Sequence, residues 1–192
     1  MPSTKTLRSF KPFADKRSRI LILGTMPGPV ALKKQEYYGF AGNHFWKIIF
    51  QLFGVTAPLT YAQKKKLLKQ NGIALWDVFK SCERKGALDS AIRCMGYNDI
   101  PGLLKKYPNI KTIFLNSRTA EKVFREKFSK SVPIPAHYLP STSPAHAGMP
   151  FAAKLKAWSV LRKKIKFTER DSFSTQTSNN KLEAAANLWP RL

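Results

Sequence analysis

Arg19-Ile20-Leu21-Ile22-Leu23-Gly24-Thr25-Met26-Pro27-Gly28-Pro29 is a short aliphatic run closed by two glycines and two prolines. A run this brief is too short to hold a helix, and it lacks the polar alternation of a half-exposed strand. It reads as a strand buried on both faces. Three more apolar runs of this kind follow, at 73–79, 112–115 and 136–139. Helical spacing fills the intervals. Residues 43–53 place Phe45, Trp46, Ile49, Phe50 and Phe53 on one side, and 60–70 set Lys64, Lys65, Lys66 and Lys69 around Leu67 and Leu68. A short helix at 99–106 opens with Asp99 and Pro101, and 117–128 align Ala120, Val123, Phe124 and Phe128, with Glu121 four residues before Arg125. The stripe of 151–165 is Leu155, Trp158, Leu161 and Ile165. Strands alternating with helices imply an α/β fold whose parallel sheet is covered on both faces. Ligands bind such sheets beyond the carboxyl ends of the strands, which directs attention to residues 24–43, 77–89, 116–119 and 140–149.

The length of 192 residues suits one domain, expected over 1–167, and 43% hydrophobic with 12% aromatic content excludes wholesale disorder. Residues 168–192, rich in Ser, Thr, Asn and Gln, are expected to form a poorly ordered extension. No apolar run approaches the roughly 20 residues of a membrane span. The first residues, MPSTKTLRSFKPF, lack the apolar stretch of a secretory signal. Cys82 and Cys94 are too few for a four-thiolate site and suit a reducing cytoplasm. With 34 Lys+Arg against 11 Asp+Glu the net charge is +23, a surplus that calls for a polyanionic partner. Nucleic acid leads and an anionic membrane surface follows, although the basic helices leave no extended apolar face free of the core. A basic surface that serves only solubility is the plain alternative.

Four segments hold the candidate chemistry. Gly24 to Pro29 form a stiff loop that lets a ligand approach the main chain; no Gly-Lys-Ser/Thr follows, so it is not a phosphate loop. In Tyr37-Tyr38-Gly39-Phe40-Ala41-Gly42-Asn43-His44-Phe45-Trp46 an aromatic cluster adjoins an amide, as a planar hydrogen-bonding ligand requires. Tyr38 or Phe40 can stack on a base, a contact worth about 1–3 kcal/mol. Asn43 can orient a water or read a base edge, but it can equally cap the helix after it, with Phe45 and Trp46 in the core and His44 a surface or satisfied residue. Asn116 and Ser117 carry the same double reading. In Pro140-Ser141-Thr142-Ser143-Pro144-Ala145-His146 small hydroxyls between prolines can hold a phosphate, or can be a loop of no consequence. Each segment alone is ambiguous. Together, at one sheet edge of a chain with charge +23, they favour a base-binding pocket above a phosphate-gripping rim.

These residues resemble the uracil-DNA glycosylase superfamily, and within it the hypoxanthine (deoxyinosine) glycosylases of its sixth family. The matching blocks are Ser9-Phe10-Lys11-Pro12, Arg19 to Gly28, Tyr37-Tyr38 with Asn43-His44-Phe45-Trp46, and Gly72-Ile73-Ala74-Leu75-Trp76-Asp77-Val78. Further along come Cys82-Glu83-Arg84 with Leu88-Asp89, Phe114-Leu115-Asn116-Ser117, and Leu139 to Ala145. The resemblance implies a three-layer α/β/α sandwich with a short four-stranded parallel sheet. It also implies monofunctional hydrolysis of the N-glycosidic bond of a deaminated base flipped from single- or double-stranded DNA, by a monomer with neither metal nor cofactor. By that resemblance Asn43 is catalytic, replacing the polar residue that other branches carry where Met26 stands. The resemblance also implies that Tyr38 and Asn116 bind the base, with Thr25, Met26, Gly28 and Phe40 expected beside them, and that the loop of Ser141, Thr142, Ser143, Pro144 and Ala145 grips DNA, with His146 expected alongside. This chain has Phe40-Ala41 where family members carry His-Pro. It also lacks the Leu that fills the vacated stack in other branches, for which Met149 is the candidate. Uracil preference, a lysine-based lyase and a catalytically idle binding module are the rival readings.

If the positive charge serves DNA, log affinity falls linearly with log salt, by about 0.9 per phosphate contact on a duplex. Titrations from low to moderate salt measure the slope. A flat line would assign the charge to another purpose.

Overall fold

The computed structural model describes residues 6–165. In chain order the elements are β1 (Leu7–Arg8), β2 (Ile20–Gly24), α1 (Pro29–Lys34), α2 (Phe45–Phe53), α3 (Tyr61–Gln70), β3 (Ile73–Asp77) and β4 (Phe79–Arg84). A 3-10 turn at Asp89–Ala91 precedes β5 (Ile92–Tyr97), α4 (Ile100–Lys106), β6 (Thr112–Asn116), α5 (Arg118–Lys127), β7 (Ala136–Leu139) and α6 (Phe151–Trp158). The chain divides into two compact units, Met1–Ser159 and Val160–Leu192. Of the second, residues 160–165 are described and are helical. The expected domain limit after 167 and the expected extension at 168–192 lie outside the described residues.

The four apolar runs pair as one sheet in the order β3-β2-β6-β7, parallel throughout. Gly24 lies opposite Asp77, and Asn116 opposite Leu139, so the strands finish together along one edge. β2 is buried along its whole length. Its alternate residues Leu21 and Leu23 join Ala74, Ile113 and Leu115 in a core closed by Ile100 and Leu103 of α4 and by Ala120 and Phe124 of α5. Residues of opposite parity, Ile20, Ile22, Ile73, Leu75 and Phe114, are also buried and point to the other face. The crossover to β3 runs one way from β2, and the crossovers to β6 and β7 run the other way. Right-handed connections therefore put α1 to α3 on one side of the sheet and α4 with α5 on the opposite side. α6 joins the α2 layer, where the Trp158 ring meets the Phe45 ring edge-on at 5.8 Å.

Local chemistry sets the helix limits. Thr60 and Gln63 form a reciprocal capping box at α3. Asp99 caps α4 through the Gly102 N–H at 2.9 Å, and Ser117 caps α5 through the Ala120 N–H at 3.0 Å. α2 stops at Gly54, whose φ of 69° favours glycine.

The structure departs from the sequence reading in three places. α1 occupies a segment read as loop, with Pro29 at its first turn, where a missing N–H costs nothing. A second sheet, in the order β1-β4-β5 and antiparallel, replaces the open loop expected after β3. Lys80, Glu83 and Arg84 on β4 conceal that strand from a hydropathy reading. On α6 the buried residues are Lys154 and Trp158. Lys154 runs its aliphatic stem through the packing and donates from Nζ to the His146 carbonyl at 2.8 Å.

Leu21 is fully buried on the central strand and Met95 is mostly exposed on the outer sheet. In urea unfolding, Leu21→Ala is expected to cost about 2–5 kcal/mol. Met95→Ala is expected to stay within about 0.5 kcal/mol.

Candidate active site

The strand order reverses direction between β2 and β6, and the crevice beyond their carboxyl ends is the place where such sheets bind ligands. A cavity of about 290 Å³ opens there. It gathers Thr25, Met26, Gly28, Tyr38, Phe40, Asn43, Asn116 and the loop of Ser141, Thr142, Ser143, Pro144 and Ala145. His146, expected among the DNA-gripping residues, is not part of the lining. Its N–H turns back to the Ser143 carbonyl at 3.0 Å, its carbonyl receives Lys154, and its Nε2 is buried without a partner. Met149 is not part of the lining.

Asn116 ends β6, nearly sealed from solvent at 6% exposure, and its carboxamide joins three walls. Nδ2 donates to the Tyr38 hydroxyl at 3.1 Å and to Thr142 Oγ1 at 3.2 Å, and Oδ1 accepts from the Thr142 N–H at 3.1 Å. Both amide hydrogens are thus engaged within the protein, which leaves the second lone pair of Oδ1 for a ligand. Tyr38 has a left-handed backbone (φ 55°), a conformation that costs a non-glycine residue about 1–2 kcal/mol. That turn lays its ring on Phe45, with centroids 3.7 Å apart and planes at 12°, and aims its hydroxyl at Asn116. One ring face is therefore covered while the residue still lines the cavity. Burial first, then the charges of Asp77 and Asp89, hold its phenol neutral well above the usual range.

Asn43 stands both at the start of α2 and on the cavity wall. One residue before the N-cap His44, its Oδ1 accepts from the Phe45 N–H at 3.0 Å and so satisfies the first N–H of α2. Among the described residues nothing accepts from its Nδ2, so that N–H pair remains for a ligand or water. His44 packs edge-on against Phe151 at 5.2 Å. Burial, then the cations Lys154 and Lys47, lower its pKa and keep it neutral. The Phe40 ring lies over Gly42, where an added Cβ would sit 2.7 Å from the ring, so Gly42 permits this close approach.

Three charged residues at this cavity were quoted in the sequence blocks without a role: Asp77, Arg84 and Asp89. Asp89 accepts from Thr25 Oγ1 at 2.8 Å, and burial raises its pKa against the pull of Thr25, Arg84 and Ser117. The Arg84 guanidinium donates to the Pro27 carbonyl at 2.6 Å, fixing the 24–29 loop to the second sheet. Asp77 is buried, and desolvation, reinforced by the charge of Asp89 and opposed by Arg84, pushes its pKa up to about 8. The available signal was a carboxylate ending a buried strand on the ligand side of a parallel sheet. No group of three or more His, Cys, Asp or Glu among the described residues could hold a metal ion.

The sequence pattern of the uracil DNA glycosylase superfamily matches residues 10–162. A hypoxanthine DNA glycosylase of Methanosarcina acetivorans is 37% identical over 140 residues, 72% of this chain and 87% of that protein. One from Methanosarcina barkeri is 37% identical over 112 residues, covering 58% and 71%. A solution structure from M. acetivorans, provisionally named a uracil DNA glycosylase, superposes with a TM-score of 0.68 at 33% identity, covering 82% of this chain and 99% of that one. The cavity at the switch point, with its amides and stacked aromatics, therefore sits in a chain that belongs to the uracil DNA glycosylase superfamily.

Proposed function

We propose that this chain is a monofunctional DNA glycosylase that flips deoxyinosine out of DNA and hydrolyses its base–sugar bond, with uracil as a secondary substrate. One observation carries the reading: Asn43, Asn116 and Tyr38 line one cavity of about 290 Å³ on a chain of charge +23. Ligand pockets usually run to about 300–1,000 Å³. A volume just under that range suits one base and not a dinucleotide.

Extruding a base costs a few kcal/mol, least for a mispaired one, and lysine contacts to phosphates offset that cost. Within the cavity the base lies against Tyr38, with the 24–28 main chain beside its edge and Asn116 fixing the wall that joins Tyr38 to Thr142. The bond breaks toward a cationic sugar and a departing base. Asn43 is no base at neutral pH, so it holds the attacking water without taking its proton. That suffices when the sugar has already become cationic. Main-chain N–H groups of Thr25, Met26 and Gly28 stabilise negative charge on the leaving base. Relatives named for hypoxanthine favour the purine as principal substrate.

The test is incubation with oligonucleotides bearing inosine, uracil, xanthine or ethenoadenine, scored by alkali-labile abasic sites. Hypoxanthine release is expected to be fastest. Asn43→Ala is expected to lose at least two orders of magnitude in turnover while retaining DNA affinity. Near-normal release by that variant would remove Asn43 from the mechanism. Absence of release by the native chain would leave only a binding module.

A further inference from the structure

Asp77 has no task in the mechanism above, yet its surroundings leave it few options. It ends β3 at the cavity wall, next to Gly24 of β2. No described residue gives its carboxyl a hydrogen bond, and Oδ2 is sealed from water without a partner. A Cβ on Gly24 would sit 2.7 Å from Oδ1, so the glycine is what leaves this carboxyl room at the wall. A buried carboxylate with one oxygen sealed from water and no donor to either is costly, whereas the protonated acid is much less so. In that form it carries one O–H donor, and no hydrogen bond among the described residues engages the carboxyl. A base in the cavity supplies an acceptor.

We infer that Asp77 is a catalytic acid, donating its proton to a ring nitrogen of the departing purine. This rests on the glycosylase reading and adds the step that reading lacks. As the C1′–N9 bond breaks, its electron pair passes to the base. The Asp77 proton moves to a ring nitrogen, so the base leaves neutral and Asp77 becomes a carboxylate. The water held by Asn43 adds to C1′ and loses one proton to solvent, and a solvent proton restores Asp77. One water is consumed, and the free base and a sugar hydroxyl are formed.

The groups facing Asp77 suit that cycle. Asp89, from the 3-10 turn, favours the protonated form by its charge, and Arg84 of β4 opposes it. Tyr37 and Tyr38 stay neutral, because burial first and Asp77 among the charges hold their phenols high. The acid therefore keeps its proton up to about pH 8. In the unfolded chain it loses the proton near its ordinary value of 3.8. Between these two values the folded state binds the extra proton, so this group makes the protein less stable as pH rises.

Single-turnover hypoxanthine release from an inosine duplex, with enzyme in excess, is to be followed from pH 5.5 to 9 for the native chain and Asp77→Asn. The variant is expected to be slower by about 10²–10⁴-fold. The native rate is expected to fall as pH passes about 8, a decline the variant lacks. DNA affinity should be kept, and the variant's urea midpoint should gain on the native one between pH 5.5 and 8, which shows that it folds. A variant as fast as the native chain overturns the assignment. So does a slow variant that keeps the alkaline decline, since Asp77 would then only shape the cavity. If the native chain itself releases no hypoxanthine, the glycosylase reading fails first and this assignment falls with it.

Discussion

One buried carboxamide ties the cavity together. Asn116 reaches from the end of β6 to the Tyr38 hydroxyl on one side and to the side chain and N–H of Thr142 on the other. Those partners belong to segments more than twenty residues away in sequence, and neither is regular structure where it meets Asn116. Leaving a buried polar group unpaired costs about 1–3 kcal/mol, so removing this amide would strand the Tyr38 hydroxyl and the Thr142 N–H at once. Sheet register places Asn116, Asp77 and Gly24 along one edge. The amide then fixes the loops above that edge in relation to each other.

The same amide shapes what the pocket can recognise. With both Nδ2 hydrogens engaged inside the protein, Asn116 could meet a base in the proposed complex only as an acceptor at Oδ1. On the proposed reading, donation would come from Asn43 Nδ2, from the 24–28 main chain and from the Asp77 acid. Tyr38 accepts a strained backbone to offer a ring backed by Phe45. Strain of this kind persists only where the surroundings fix it, and here a stacked ring and a hydrogen bond do so.

The parallel sheet was legible because burial on both faces writes an unbroken aliphatic run, as at Ile20, Leu21, Ile22 and Leu23. Helices α2 and α5 were legible from period and caps. The outer sheet was not: β5 reads Ile-Arg-Cys-Met-Gly-Tyr, with inner residues only half-buried and a glycine within the strand. α1 escaped notice since six residues of Pro-Val-Ala-Leu-Lys-Lys show barely two turns of pattern. Lys154 escaped for a plainer reason. A lysine reads as exposed, whereas here its stem packs and only its ammonium meets the His146 carbonyl.

Within the site, the loops were found by the strand-end rule, but roles inside them were not. Asn43 could be read as a cap or as a ligand group, and the geometry divides its amide between the two: the oxygen satisfies the first N–H of α2 and the nitrogen stays open. Asp77 was invisible as chemistry because its character comes from missing neighbours, which no local pattern encodes. The most direct measurement of the central claim is a side-chain amide NMR titration with a duplex carrying a non-cleavable deoxyinosine analogue. A base seated in this cavity shifts the Asn43 and Asn116 amide signals together at saturation. Changes confined to surface lysines, with both amides unmoved, would contradict the account.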